Sequence, residues 1–228
     1  AAGRTVEIRG VNGSIQAMAG TGDQVEVVAT RRGRRSDPDS VQIRTIEHDG
    51  GVTVCALYPS SDPALPNECL PGGKGRMNSK NNDVNVAFVV KVPAGVRLFA
   101  RTVNGAIDAS ALSADVDAET VNGSVKIETS GVARAQTVNG SVHAAMGRAD
   151  WASDLELRTV NGSIHVTLPA TASTTVNAET VNGRIVSDFA VTGSTVTRRR
   201  LKGTIGQGGR GMSLETVNGS IHLGPAGQ

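Results

Sequence analysis

The chain is poor in aromatic residues: phenylalanine, tryptophan and tyrosine together make up 2% of its 228 residues. A conventional sandwich or α/β core relies on more ring bulk than that. With 38% apolar residues and so few rings, the interior must be built from Val, Ile, Ala and Thr in thin layers. Such a composition favours a narrow, repetitive β-core. Charge bias is missing as well. The formal net charge is +2 and charged residues are 19%, so nothing directs the chain to nucleic acid or to an acidic partner. No run approaches the roughly 18 consecutive apolar residues of a membrane-spanning helix.

Cysteine is nearly absent, with only Cys55 and Cys69. Between them lies "ALYPSSDPALPNE", a Pro- and Ser-rich stretch with nothing to pack it. A bridge would close a loop of about 15 residues, worth on the order of 3 kcal/mol in the chain-entropy model. A Cys55–Cys69 disulfide is therefore expected, and with it an oxidising, extracytoplasmic compartment. The first residues are Ala1-Ala2-Gly3 rather than Met, as in a chain trimmed of a signal peptide at a small-residue site. The expected location is secreted, cell-surface or periplasmic.

Glycine, by contrast, is plentiful at 28 residues, and much of it sits in one recurring word. "ETVNGSVKIE" at 119–128 contains a Val-Asn-Gly that would ordinarily be the turn of a β-hairpin. The same pair recurs as Asn12-Gly13, Asn104-Gly105, Asn122-Gly123, Asn139-Gly140, Asn161-Gly162, Asn182-Gly183 and Asn218-Gly219. "LKGTIG" adds a degenerate eighth copy, Gly203, with Lys202 in the Asn place. From Gly105 onward the period is about 20 residues, which signals a solenoid-type array rather than separate hairpins.

The columns agree. Two residues after each Gly stand Ile15, Ile107, Val125, Val142, Ile164, Ile185, Ile205 and Ile221. Upstream, pairs such as Val6-Ile8, Leu98-Ala100 and Leu155-Leu157 alternate with polar residues. Period-2 alternation on both sides of the turn defines two short strands, each with one buried face. Thr102, Thr120, Thr137, Thr159, Thr180 and Thr216 fall in the inward phase and are followed at once by Val. Two adjacent inward candidates break the alternation, so the strand must bend there. Asn and Gly are the residues that best accept positive φ at such a corner, and stacked Asn side chains can form amide ladders.

The expected fold is all-β: a parallel β-solenoid of about eight short coils with Asn-Gly corners. At about 4.8 Å per coil it would make a rod roughly 38 Å long. A first coil occupies 1–16 and the main array 96–228. Residues 17–95 hold four alternating strand candidates, "DQVEVVAT", "SVQIRTIEH", "GVTVCALY" and "NDVNVAFVVKVP", together with the cysteine loop. They read as an inserted antiparallel sheet that continues or caps one end, with "HDGG" at 48–51 as a hairpin turn. The first coil is expected to stack on the coil around Gly105, all within one domain.

Repeated "TVNGSI" corners, a "VKVPAGV" lead-in, "VCALYP" with a second Cys downstream, and a closing "RRLKGTIGQGG…LETVNGSIHL" resemble the bacterial β-strand-repeat "putative adhesin" family, a domain of unknown function. The resemblance covers essentially the whole chain. It implies a secreted or surface-associated β-solenoid and brings no catalytic or binding residues with it.

Little in the chain carries chemistry. Polysaccharide lyases and hydrolases need carboxylates within about 5–10 Å of each other. The outward column three residues after each Gly reads Asp108, Lys126, His143, His165, Val186, Gly206 and His222, with one acid. Trp151, Tyr58, Phe88, Phe99 and Phe189 share no repeat register that would make a sugar platform. His143 and His165 occupy equivalent places in consecutive coils, but a metal site needs three or four ligands. With Lys126 beside them and His222 several coils away, they read as an exposed ladder, and no metal or cofactor is expected. The recurring Ser14, Ser124, Ser141, Ser163 and Ser220 do not read as nucleophiles. "GTIGQGGRG" at 203–211 lacks the Lys-Ser/Thr ending of a phosphate loop and reads as a mobile loop. The runs "RRGRR" (31–35) and "RRRLK" (198–202) read as solvated loops or as contacts to an anionic surface. Interleaved aromatics of the kind that bind nucleic acid are missing.

The function expected is therefore non-enzymatic: a structural or adhesive protein whose partners are itself or cell-surface and extracellular-matrix components. Open strand edges template pairing with another chain, so head-to-tail stacking into filaments is expected through the last coil, around Ile221. The alternative is a monomeric ligand-binding module for polysaccharide or an anionic surface. Its pocket would lie where the N-terminal insertion meets the first coils.

Overall fold

The computed structural model describes residues 3–226. The chain opens with β1 (Thr5–Arg9) and turns at its first corner into β2 (Ile15–Ala19). Next come β3 (Glu26–Arg32), a single 3-10 turn at Pro38–Ser40, and β4 (Gln42–His48). β5 (Gly51–Leu57) leads through the cysteine loop to β6 (Asn85–Val92). Strand–corner–strand units then succeed one another: β7 (Arg97–Arg101) and β8 (Ile107–Leu112), β9 (Val116–Glu119) and β10 (Val125–Thr129), β11 (Ala133–Gln136) and β12 (Val142–Met146), β13 (Leu155–Arg158) and β14 (Ile164–Leu168). β15 (Thr174–Asn182) and β16 (Ile185–Ser187) make another unit. A hairpin of β17 (Val191–Val196) and β18 (Arg200–Ile205) precedes the last unit, β19 (Gly211–Asn218) and β20 (Ile221–Pro225).

Each corner carries the chain from one sheet to the other. The first sheet has eleven strands in the order β17-β18-β15-β19-β13-β11-β9-β7-β1-β5-β4, and the second has nine, β16-β20-β14-β12-β10-β8-β2-β6-β3. Within each coil stack the pairing is parallel and, apart from a shift between β8 and β10 after Ile127, in register, for example Ile15 to Ile107 and Val142 to Ile164. In-register parallel stacking puts like on like, so one small apolar residue type serves a whole column. Val6, Ile8, Leu98, Ala100, Ile107, Val125, Val142 and Ile221 are all buried and belong to one apolar cluster between the sheets. Thin layers of this kind need few rings. Tyr58, Phe88 and Trp151 are buried.

The corner itself explains its own sequence. All six threonines are buried, and each hydroxyl donates to a corner-glycine carbonyl of the neighbouring coil at 2.8–3.1 Å. Asn side chains form a continuous ladder in which each Nδ2 donates to the next Oδ1 at 2.8–2.9 Å. The backbone N–H groups of Ser141, Ser163 and Ser220 donate to the Oγ of the serine one coil away, each at 3.2 Å. Recurrence of Ser in this word is therefore architectural.

Five expectations are corrected. The valine after each threonine points outward, and Val103, Val121, Val138, Val181 and Val217 are exposed; Thr and Val thus keep the alternation, which breaks only after Val, where Val121 and Asn122 are both exposed. Positive φ is not why the corners need glycine, because Gly13 alone among them has it, at 131°. A Cβ on Gly140 would instead lie 2.1 Å from the carbonyl oxygen of Gly123, and the other corners are as tight. The Gly203 copy is not a coil: β18 runs antiparallel to both β15 and β17.

The insertion, likewise, is not one antiparallel sheet. β5 and β6 pair in parallel with β1 and β2, forming a coil whose corner is the cysteine loop. β4 and β3 are antiparallel edge strands, one on each sheet. Tyr58 fills the place of the missing corner, its hydroxyl donating to Val84 O at 2.8 Å. The last coil, finally, is not an end. β20 lies between β14 and β16, so the free edge expected around Ile221 does not exist.

Candidate functional site

The outward face of the first sheet is covered where the cysteine loop folds back over β1. Cys55 and Cys69 are joined in a disulfide with their Cα atoms 5.9 Å apart. Asn67 holds the loop together from inside, donating to Tyr58 O and Asn78 O at 2.9 Å and accepting from Asn78 N at 2.7 Å. Two charged side chains of β1 fasten the loop to the sheet. The Glu7 carboxylate accepts from Gly72 N at 2.9 Å, Gly73 N at 2.7 Å and Thr53 Oγ1 at 2.8 Å. Arg9 donates to Leu70 O at 3.2 Å and to Lys74 O. Both are buried, with only 4% and 7% of their surface exposed. Burial holds the Arg9 guanidinium below its usual value, opposed by the nearby Glu7 carboxylate. Buried charges are tolerated only when paired and hydrogen-bonded, and here the partners are the loop backbone.

Beside this clamp opens a cleft of about 440 Å³, lined among others by Glu7, His48, Gly72, Phe99, Asp117 and Arg134. Register builds its floor: Glu7 pairs with Phe99, Asp117 follows Phe99 on the next strand, and Arg134 follows Asp117. A carboxylate, a ring, a second carboxyl and a guanidinium thus stand in one column at about 4.8 Å per strand. The Asp117 carboxyl is pushed up to about 6, first by burial and then by Glu119, against the pull of Arg134 and Arg101. Phe99 is half-buried, so its ring can take an apolar ligand face while Asp117, Arg134 and His48 supply hydrogen bonds. The cleft lies where the alternative sequence reading expected a pocket.

Acids do gather on this face, which a reading confined to the column after each Gly could not find. That column belongs to the second sheet, whereas Glu7 and Asp117 stand on the first. Glu7 accepts three hydrogen bonds, so it acts as a clamp and not as one of the free carboxylate pair that glycoside hydrolysis requires.

The histidines are arranged differently from the sequence reading. His143 and His165 are stacked as neighbours, with ring centres 4.7 Å apart and planes at 3°. His222 is not several coils away: β20 pairs with β14 and sets it directly beside His165. Those two rings are 6.1 Å apart and nearly perpendicular at 86°. Asp188 reaches His222 Nε2 at 2.7 Å. Burial, followed by repulsion from His143 and His222, holds the His165 imidazole below its ordinary value.

The two basic runs sit at opposite ends of the strand order. Arg31, on edge strand β3, pairs with Asp39 at 3.1 Å, and Arg200, on β18, pairs with Glu179 at 2.5 Å. They do not combine into one basic face. The Gly-rich stretch expected to be a mobile loop is in part strand β18, followed by a turn closed by Gly208 N donating to Ile205 O at 3.1 Å. No helix among the described residues is long and apolar enough to cross a membrane.

Two solved structures align with nearly the whole chain, and the first of them shares its fold. A putative cell adhesion protein from Clostridium sporogenes aligns over 98% of this chain and 93% of its own, with TM-score 0.53 and 11% identity. A putative adhesin from Bacteroides fragilis aligns over 99% and 93%, with TM-score 0.40 and 12% identity. No curated protein matches the sequence. The model of the Toastrack DUF4097 family matches residues 77–224, well over half of the chain. A stack of in-register parallel coils with Asn-Gly corners is what that match covers, and the chain belongs to the Toastrack DUF4097 family.

Proposed function

We propose that this protein is a non-enzymatic adhesive module working outside the cytoplasm, in which the solenoid is a rigid post and the cleft beside the disulfide loop takes the ligand. The observation that carries this reading is the Glu7–Phe99–Asp117–Arg134 column, floored by the sheet and walled by a loop that a disulfide and two buried charges hold in place. A pre-formed cleft with a few convergent polar groups is the usual form of a ligand site. The disulfide fits an oxidising compartment, and adhesion is the role attached to the fold's neighbour in Clostridium sporogenes. The ligand proposed is a polysaccharide of a cell surface or extracellular matrix rather than a second copy of the chain. At one end the sheets finish in the antiparallel strands β4 and β3, and the first sheet finishes at the other in the hairpin strand β17.

Surface plasmon resonance against immobilised neutral and acidic polysaccharides tests the reading. Native protein should bind at least one class, and Phe99→Ala should weaken that binding about tenfold or more, a loss of about 1.4 kcal/mol, with an unchanged melting temperature. Binding that survives Phe99→Ala intact would move the ligand site elsewhere, and binding to no polysaccharide would remove the adhesive reading.

A further inference from the structure

We propose that the outer face of the second sheet carries a site for one divalent transition-metal ion of the zinc, nickel or copper class, built by His143, His165 and His222. These residues occupy the same place on the adjacent strands β12, β14 and β20. With zinc–nitrogen bonds of about 2.0–2.1 Å, two imidazoles on one ion have ring centres on the order of 5–6 Å apart. The observed separations are 4.7 Å and 6.1 Å. His165 and His222 already meet edge to face, whereas His143 and His165 lie plane to plane. As the rings stand, no three such groups among the described residues converge on a metal position. Convergence takes a turn of the His143 ring about its terminal torsion, which is broad, and both His143 and His165 are exposed enough to allow it.

Three further features favour the site. Asp188 stands 2.7 Å from His222 Nε2, which leaves Nδ1 of the neutral ring to ligate; a carboxylate behind a ligating imidazole fixes its tautomer and raises its basicity. The approach of Asp188 depends on Gly224, where a Cβ would lie 2.9 Å from the carboxylate oxygen. Lys126, next to His143 in the column, is paired with Glu128 at 2.9 Å, so its charge is offset. Three imidazoles with a fourth position open to solvent form a ligand set that suits zinc, copper or nickel and not magnesium or calcium.

Untagged protein, stripped with a chelator and titrated with zinc chloride by calorimetry, is expected to bind one equivalent, release protons and gain melting temperature. His165→Ala should abolish binding, and Asp188→Asn should weaken it about tenfold. His48→Ala should bind as the native protein does, and magnesium chloride should give no heat of binding. Circular dichroism confirms that each exposed-site variant is folded. No zinc binding by the native protein, binding indifferent to His165→Ala, loss on His48→Ala, or equal binding of magnesium would each overturn the proposal.

Discussion

At a corner, every residue of Thr-Val-Asn-Gly answers to the coil beside it. The Thr137 hydroxyl donates to Gly123 O at 2.8 Å, and a Cβ on Gly140 would lie 2.1 Å from that same oxygen. Thr137→Val keeps the shape but leaves the buried carbonyl short of a donor, at a cost of about 1–3 kcal/mol. Gly140→Ala must push neighbouring backbones apart within a shared ladder, so it should cost more than Thr137→Val in urea denaturation. The reverse ranking would show that the stack yields at its corners. Asp117 poses a different residue-scale question. Its carboxyl titrates at about 6 in the folded chain, above the ordinary value of about 3.9. Between those values the folded state holds the extra proton, so its stability falls as pH rises through that window and levels off above it. Asp117→Asn should therefore be more stable than the native protein at pH 8, by on the order of 1–2 kcal/mol after allowing for solvent screening, with the advantage gone at pH 4. Equal urea midpoints at pH 8 would contradict the assignment.

Among the elements, β5 and β6 are unusual in forming a coil with no Asn-Gly corner. Their loop is long and irregular, and the Cys55–Cys69 bond closes its opening stretch across a sequence separation of 14. Cys69→Ser should lower stability by about 3 kcal/mol, and native protein alkylated without reduction should show no added mass. Two alkylated cysteines before reduction would refute the bond. β18 shows how an element can satisfy a repeat pattern and still stand outside the stack. "LKGTIG" supplies the Gly and the apolar Ile205 two residues on, yet alternation has a period of two in either strand direction. The sign that it differs is Lys202, which cannot extend an amide ladder; the strand runs antiparallel and leaves that ladder to Asn218 and Asn182.

Across the whole molecule, the chain does not stack its coils in the order it makes them. The coil nearest each terminus is second from an end: β1 lies between β5 and β7, and β19 between β13 and β15. Both terminal coils are thereby held by neighbours on two sides, and the outermost positions fall to the antiparallel strands β4 and β3 at one end and to the hairpin strand β17 and the short parallel strand β16 at the other. Ile221 is fully buried, stacked between Ile164 and Ile185. Ile221→Lys should therefore unfold the protein, because an unpaired buried charge costs several kcal/mol against a total stability of about 5–15 kcal/mol. Ile15→Lys, flanked by Phe88 and Ile107, should do the same. Circular dichroism melts measure both, and a native-like melting temperature for Ile221→Lys would mean that the last coil is an open end after all.

By itself the sequence determined the period, the two strands of each coil, the inward Thr and apolar columns, the Asn ladder and the cysteine pairing. All but the last depend on neighbours being alike, which a repeat states openly; the cysteine pairing was legible because the two residues flank a stretch with nothing else to order it. Three matters were decided only in three dimensions. Coil order was one, since a strand's alternation says which face is buried but not which strand lies beside it. The reason for glycine was another: the obstacle is a carbonyl oxygen of the next coil, invisible in any single corner. The functional residues were the third. Glu7, Phe99 and Asp117 come from separate coils of the first sheet, and His222 reaches His165 because β20 inserts between β14 and β16. Proximity of that kind is a property of stacking order, which the alternation within any one strand does not encode.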